Sequence, residues 1–167
     1  GYMGMDASAS SENDTSIYLE AAGFDSAQVA YHCRRYAWHT QSGSRFERGI
    51  DFNNTANAIQ RAIDLLIDHA GYKPEYRLYG QGSAAMDQTI TLPYSLVGSI
   101  LGFSCSKEKI HTALLKVGCE LKGHEEQCQV KVPSWRNDLS IPVSLVSEYL
   151  RIYGMSQQKS SGIKATI

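Results

Sequence analysis

No run of the sequence reaches the roughly 20 consecutive apolar residues of a membrane-spanning helix, and no signal peptide is visible. Cysteine is scarce, with four in 167 residues, at positions too scattered for a disulfide scaffold. Nor is there an excess of either charge: sixteen Lys+Arg against seventeen Asp+Glu leave a formal −1. That balance argues against a protein whose main work is gripping phosphate backbones. With 43% hydrophobic and 20% charged residues, the chain is neither collagen-like, nor low-complexity, nor largely disordered. A chain of this size buries roughly 70% of its unfolded surface and needs no staples. These absences lead to an expectation of a soluble, reduced, cytoplasmic globular protein with no membrane partner.

Several common chemistries are missing too. There is no Gly-x-Ser-x-Gly elbow, and Gly80-Gln81-Gly82 lacks the rest of either nucleotide fingerprint. Cys119, His124 and Cys128 resemble part of a zinc knuckle without its close first pair, so Cys119 and Cys128 read as a packing pair. His32 sits beside Cys33 but points around the helix from it. His39, His69 and His111 stand alone, as surface or helix-end residues.

What is present is a mixed α+β pattern in two small units, divided near residue 82. In the first, residues 17–22 read as a buried strand. Asp25 and Gln28 open a helix over 26–37 with Val29, Cys33, Tyr36 and Ala37 on one face. Gln41-Ser42-Gly43-Ser44 reads as a polar turn. Asn53 or Asn54 caps a longer helix whose buried side is Ala58, Ile59, Ala62, Ile63, Leu65, Leu66 and Ala70, stopped by Gly71. Tyr76-Arg77-Leu78-Tyr79 is strand-like, and 80–84 looks like a linker. Arg34, Arg35, Arg45 and Arg48 could form a basic patch, but Glu47 and Asp51 among them favour an ion-pair network.

In the second unit, 89–92 alternates like a strand, and Ser95 caps a short helix from Tyr94 to Leu101. Ile110, Ala113, Leu114 and Val117 keep helical spacing up to Gly118. Residues 119–121 and 128–132 pair about Gly123-His124, which sets Cys119 opposite Cys128. Pro142 opens a last helix carrying Val146, Tyr149, Leu150 and Tyr153. Residues 155–167 form a loose tail. Helices plus a hairpin could make a winged-helix-like nucleic-acid or protein interaction module. Yet seven Lys+Arg against seven acids in this unit leave little affinity from counterion release.

Two groups of residues carry a resemblance to a known family. Val132-Pro133-Ser134-Trp135-Arg136-Asn137-Asp138, followed by Arg151-Ile152-Tyr153-Gly154, resembles the B5 domain of the phenylalanine–tRNA synthetase β subunits of bacterial type. Leu19-Glu20-Ala21-Ala22, Phe24-Asp25 and Ser44-Arg45-Phe46-Glu47-Arg48-Gly49-Ile50-Asp51 resemble the end of the neighbouring B3/B4 domain, and Gly1-Tyr2-Met3-Gly4 its glycine-rich strand. The ordered set covers residues 1–154.

The resemblance implies a piece of a heterotetrameric α2β2 ligase. Such an enzyme joins phenylalanine to tRNA(Phe) with ATP and Mg²⁺, in a pocket of the α subunit. It implies the end of an editing domain over 1–82 and a winged-helix-like B5 domain over 83–154. Editing removes tyrosine from mischarged tRNA, which is needed because an apolar pocket rejects an added hydroxyl by only ~10². By position, Glu20 matches the carboxylate that reads the tyrosine phenol, and Gly1 and Gly4 match glycines lining that pocket. Met5 replaces a glycine common there, and the remaining pocket walls should precede Gly1, so the isolated chain is expected to be inactive. Asp138 and Glu148 match two of the family's four Mg²⁺ carboxylates. Ser144 and Ser147 stand where the other two are usual, so no cofactor is expected to bind tightly. From the residues alone, Glu20 could equally be a strand-end carboxylate paired with an arginine, and Asp138 an ion-pair partner of Arg136 or Arg151. Trp135 reads as core packing between hairpin and helix.

Overall fold

The computed structural model describes residues 4–71, 77, 79–80 and 87–153. The chain divides into two compact units, Gly1–Met86 and Asp87–Ile167. Among the described residues, no helix is long and apolar enough to cross a membrane.

The described part of the first unit is helical. Residues 17–22 form no strand, and Tyr18, Leu19 and Glu20 are exposed. An apolar run becomes a strand only if its backbone groups find a ladder, and the described residues of this unit contain none. Helix α1 (Ser26–Arg35) starts as expected, with Asp25 accepting from the Gln28 N–H at 2.8 Å. It buries Val29 and Cys33 but stops two residues before the expected end, leaving Tyr36 exposed. The stop is a Schellman turn, in which Trp38 N–H donates to the Cys33 carbonyl at 2.9 Å and Ala37 N–H to that of Arg34 at 3.3 Å. Ala37 sits at φ 53°, where a Cβ is strained by about 1–2 kcal/mol. Ala37→Gly is therefore expected to stabilise the first unit by about 1 kcal/mol, net of the added chain entropy. An unchanged or lowered midpoint in denaturant would contradict this.

The expected polar turn at 41–44 is instead helix α2 (Gln41–Phe46). Thr40 supplies the missed signal, since its hydroxyl accepts from the Gly43 N–H at 2.9 Å. Gly43 is buried against α1, where a Cβ would lie 2.8 Å from Cys33 Sγ. Helix α3 (Thr55–Ala70) ends at Gly71 in the left-handed region, φ 66°. At its start, Asn54 holds the cap position without a side-chain cap bond, while Asp51 accepts from the Asn53 N–H at 3.0 Å. Of its expected apolar face only Ile63 is buried; Ala58, Leu65 and Ala70 are exposed. Around the expected strand at 76–79 and the linker at 80–84, only Arg77, Tyr79 and Gly80 are described, and none lies in a strand. The anticipated ion-pair network is not made either: among the described residues, no ion pair involves Arg34, Arg35, Arg45 or Arg48.

The described residues of the second unit form a three-stranded antiparallel sheet, in which Gln127–Lys131 lies between Thr89–Pro93 and Glu120–Gly123, with three helices. β1 (Thr89–Pro93) alternates exposed and buried as its sequence predicts, and Ile90 and Leu92 face inward. Helix α4 (Tyr94–Leu101) follows without a break. Its N-cap position is Pro93, not Ser95, and the Glu126 carbonyl accepts the Tyr94 N–H at 3.0 Å. Helix α5 (Lys107–Lys116) is capped by Ser106 and followed by Gly118 at φ 93°. Strands β2 (Glu120–Gly123) and β3 (Gln127–Lys131) form the hairpin, and Pro142 begins α6 (Pro142–Tyr153). Strand, helices, then hairpin is the order of a winged-helix-like α+β domain.

The hairpin register differs from the expected one. Gly123 faces Cys128 and Leu121 faces Val130, because the turn lies beyond Gly123 and is closed by His124 N–H on the Gln127 carbonyl at 2.9 Å. The shift is even, so the same face stays buried and both thiols remain inside, but Cys119 and Cys128 are not cross-strand partners. All four cysteines are free. The core joins Leu92, Val97, Ile110, Leu114, Val130, Leu139, Leu145 and Val146. Trp135 is not part of it: 60% exposed, it lies over Gly118, where a Cβ would come within 3.2 Å of the indole.

Candidate functional site

The loop between β3 and α6 brings the second unit's charged residues together. Val132 and Leu139 are buried at its two ends, and two tight turns lie between them. Arg136 N–H donates to the Pro133 carbonyl at 2.9 Å, and Leu139 N–H to that of Arg136 at 3.1 Å. This geometry folds Arg136 back on its own segment and toward α6. Its Nε and Nη2 donate to the two oxygens of Asp138 at 2.8 and 2.6 Å, a bidentate fork. Nη2 also donates to Glu148 Oε1 at 2.9 Å. The other oxygen of Glu148 accepts from Arg151 Nε at 3.0 Å and from its Nη2. Glu148, only 9% exposed, is the buried charged side chain among the described residues.

The electrostatics follow from this arrangement. The Arg136 guanidinium holds the Asp138 carboxyl below the usual carboxylate range. Glu148 is also lowered, first by its hydrogen bonds from Arg151 and then by those from Arg136, which together outweigh its burial. Both arginines are in turn held more firmly in their charged form. Two carboxylates and two guanidiniums make a closed, neutral group. Burial pushes the thiol of nearby Cys119 up, away from the reactive thiolate.

A second cluster ties the hairpin to the helices. Tyr94 Oη and His111 Nε2 are hydrogen-bonded at 2.7 Å, so His111 is not the solitary residue that its spacing suggested. Lys107 lies 5.1 Å from the Tyr94 ring centre and donates to the Glu125 carbonyl. Gly123 allows this approach, since a Cβ there would lie 3.2 Å from the imidazole.

The residues expected at sites are placed unevenly. Gly1 lies outside the described residues. Gly4 is exposed, with nothing within 4 Å of where a Cβ would be. Glu20 is exposed in an irregular segment and joins no ion pair among the described residues, so the arginine pairing open to it is not made. Asp138 and Glu148 are brought together, but through Arg136 rather than around a space. The Ser147 hydroxyl donates to the Val143 carbonyl at 3.2 Å, and Ser144 is half-buried one turn before Glu148. These residues do not fit a divalent cation, because the acceptor oxygens that it needs already hold guanidinium protons. Among the described residues no cluster of three His, Cys, Asp or Glu could hold a metal ion. Sequence reasoning named Arg136 only as a pairwise partner. Its role in bridging both carboxylates depends on the turn, which no spacing reports.

Comparison with known proteins gives the context. Residues 1–71 match the family described as the B3/4 domain, and residues 90–155 that described as the tRNA synthetase B5 domain. The phenylalanine–tRNA ligase β subunit of Nitrosococcus oceani is 32% identical over 163 residues, 96% of this chain and 21% of that protein. The Streptomyces avermitilis β subunit is 34% identical over 147 residues, 88% of this chain and 18% of that protein. For Neisseria meningitidis serogroup A the figures are 33% over 154 residues, 92% and 20%. The chain thus spans about a fifth of the length of the curated relatives it matches. Two domain families matched in order, with relatives of one name across nearly the whole chain, place it: the chain belongs to the phenylalanine–tRNA ligase β-subunit family, as its B3/4 and B5 stretch.

Proposed function

We propose that this chain serves an α2β2 phenylalanine–tRNA ligase as the end of its editing domain, residues 1–82, a B5 domain, residues 83–154, and a tail, 155–167. The holoenzyme would charge tRNA(Phe) with phenylalanine using ATP and Mg²⁺ in the cytoplasm, with the aminoacylation site in the α subunit. The chain's own part is architectural, together with a share of an editing pocket for tyrosyl-tRNA(Phe) to which Gly1, Gly4 and Glu20 contribute. The observation that supports this most strongly is the ordered match to both domain families. Asp138 and Glu148 would act here as an internal ion-pair lock that fixes the start of α6, and not as a Mg²⁺ site.

The test is a chimera. Residues 1–153 replace the matching stretch of the Nitrosococcus oceani β subunit, which is co-expressed with its α subunit. The expected outcome is co-purification of both subunits and retained phenylalanylation. A chimera that melts cooperatively but does not hold the α subunit overturns the architectural role. Residues 1–167 alone are expected to release no tyrosine from tyrosyl-tRNA(Phe) above the uncatalysed rate.

A further inference from the structure

Glu20 is exposed and joins no ion pair among the described residues, and residues 17–22 around it pair with no strand there. A carboxylate that reads one hydroxyl must still be held to about 0.5 Å, because a misplacement of about 1 Å costs on the order of a hundredfold. Without a ladder, the place of Glu20 depends on where its chain is next fastened. That point lies at residues 23–25, and Gly23 is at most about 10 Å along the chain from Glu20. Three consecutive residues are fixed there by three different contacts. The Phe52 ring sits on Gly23, Phe24 meets Phe46 edge-on at 4.8 Å and 86°, and Asp25 accepts from the Gln28 N–H at 2.8 Å.

The Gly23 contact is the most particular of the three. The Phe52 ring fills the space of the missing side chain, since a Cβ at 23 would collide with its Cδ1, Cε1 and Cζ. Phe52 opens the short 3-10 turn Phe52–Asn54, which Asp51 caps. Just before it, Gly49 sits at φ 81° and its N–H donates to the Phe46 carbonyl at 3.0 Å. Phe46 and Phe52 therefore come from one stretch and grip two adjacent residues of another. The Phe52 ring remains 46% exposed, so it adds little to the apolar interior of this unit, whose described members are Val29, Cys33 and Ile63. What the contact does is set a position.

We propose that Gly23 and Phe52 are positioning residues for Glu20. The ring seated on bare backbone fixes the chain three residues after the carboxylate, and so sets where that carboxylate meets a tyrosine hydroxyl. This rests on the editing share proposed above for Glu20. Both residues act through the backbone of 20–23 and not on the ester. A methyl at 23 displaces the ring, which turns out into water and leaves the fold intact.

Two measurements test this. In residues 1–167, nuclear-spin relaxation is expected to find amides 19–22 rigid, with order parameters near about 0.85, falling below about 0.6 in Gly23→Ala and in Phe52→Ala. Gly23→Ala combined with Phe52→Val should return them to the rigid range, because valine lacks the ring atoms that the new methyl meets. Unchanged order in α1 and α3 confirms that each variant is folded. In the Nitrosococcus oceani chimera, Gly23→Ala should lower kcat/KM for tyrosyl-tRNA(Phe) hydrolysis about a hundredfold, as Glu20→Ala does, and the paired variant should regain most of it. The slow hydrolysis of phenylalanyl-tRNA(Phe), which has no phenol to read, should stay as it was. A chimera that releases no tyrosine, or whose release is unchanged in Glu20→Ala, overturns the reading of Glu20 and the positioning with it. Glu20-dependent release that a folded Gly23→Ala leaves unchanged overturns the positioning alone. So do amides 19–22 as mobile in the natural chain as in Gly23→Ala, or a paired variant no better than Gly23→Ala.

Discussion

Glu148→Ala is expected to destabilise the second unit by about 3 kcal/mol. Glu148 is nearly buried and accepts hydrogen bonds from two guanidiniums, so its removal strands charge rather than merely deleting a contact. The cost falls mainly on Arg136, whose side chain is 20% exposed, and little on Arg151, which is 63% exposed and can return to water. Asp138 still pairs with Arg136, which keeps the loss below the extreme for a wholly orphaned buried charge. Denaturant unfolding followed by Trp135 emission in a Trp38→Phe background measures it, and a loss under about 1 kcal/mol would sink the account. Pairing Glu148→Leu with Arg136→Met should recover most of the loss, because a matched apolar pair removes both charges together. Acid sensitivity follows the same groups. The folded values of Asp138 and Glu148 are depressed, so their stabilisation is full above the ordinary carboxylate range, near about pH 4. It disappears as pH falls through those lowered values. The wild-type chain should therefore lose stability more steeply below about pH 4 than the apolar double variant.

The lock also shows what could be read from residues alone. Pro142, the spacing of Val146 and Tyr149, and the stops at Gly71 and Gly118 located helices, because these signals are local and the backbone answers to them directly. The alternation of 89–92 located β1 for the same reason. Failures arose wherever a distant group decided. Residues 17–22 have strand composition but no ladder among the described residues. Ser95 was displaced as a cap because α4 grows straight from β1, its first amide satisfied by Glu126 across the sheet. The hairpin turned later than Gly123-His124, since three residues after Gly123 close a workable loop and keep the thiols inward. Glu47 and Asp51, adjacent to arginines in sequence, are not their partners in space. For the candidate site, the carboxylates were legible by motif, but Arg136 as their common partner depends on two tight turns.

That dependence makes Asp138, Ser144, Ser147 and Glu148, the positions that the resemblance sets against carboxylates, testable as a set. Ser144→Asp combined with Ser147→Glu is expected to raise Mg²⁺ affinity about a hundredfold over the natural chain, since ligand charge count tunes such sites over decades. Positions 147 and 148 lie three and four residues after 144 on α6, so the acid at 144 neighbours both Glu148 and the acid at 147. At present the local charge cancels, with Asp138 and Glu148 offset by Arg136 and Arg151. Two further carboxylates leave an excess of two negative charges and oxygens with no guanidinium assigned to them. The change is compatible with the fold, because an acid at 144 lies in the first turn of α6, where the helix dipole favours it. Calorimetry should find no micromolar Mg²⁺ binding to the natural chain. The variant should bind, and its melting point should rise with added Mg²⁺, by about 2.7 kcal/mol of stability at a hundred times its dissociation constant. Micromolar binding by the natural chain that Asp138→Ala abolishes would show that the arginines yield to the cation. A variant indifferent to Mg²⁺ would show instead that Arg136 and Arg151 hold the added carboxylates too, and that charge count at these positions does not make a site.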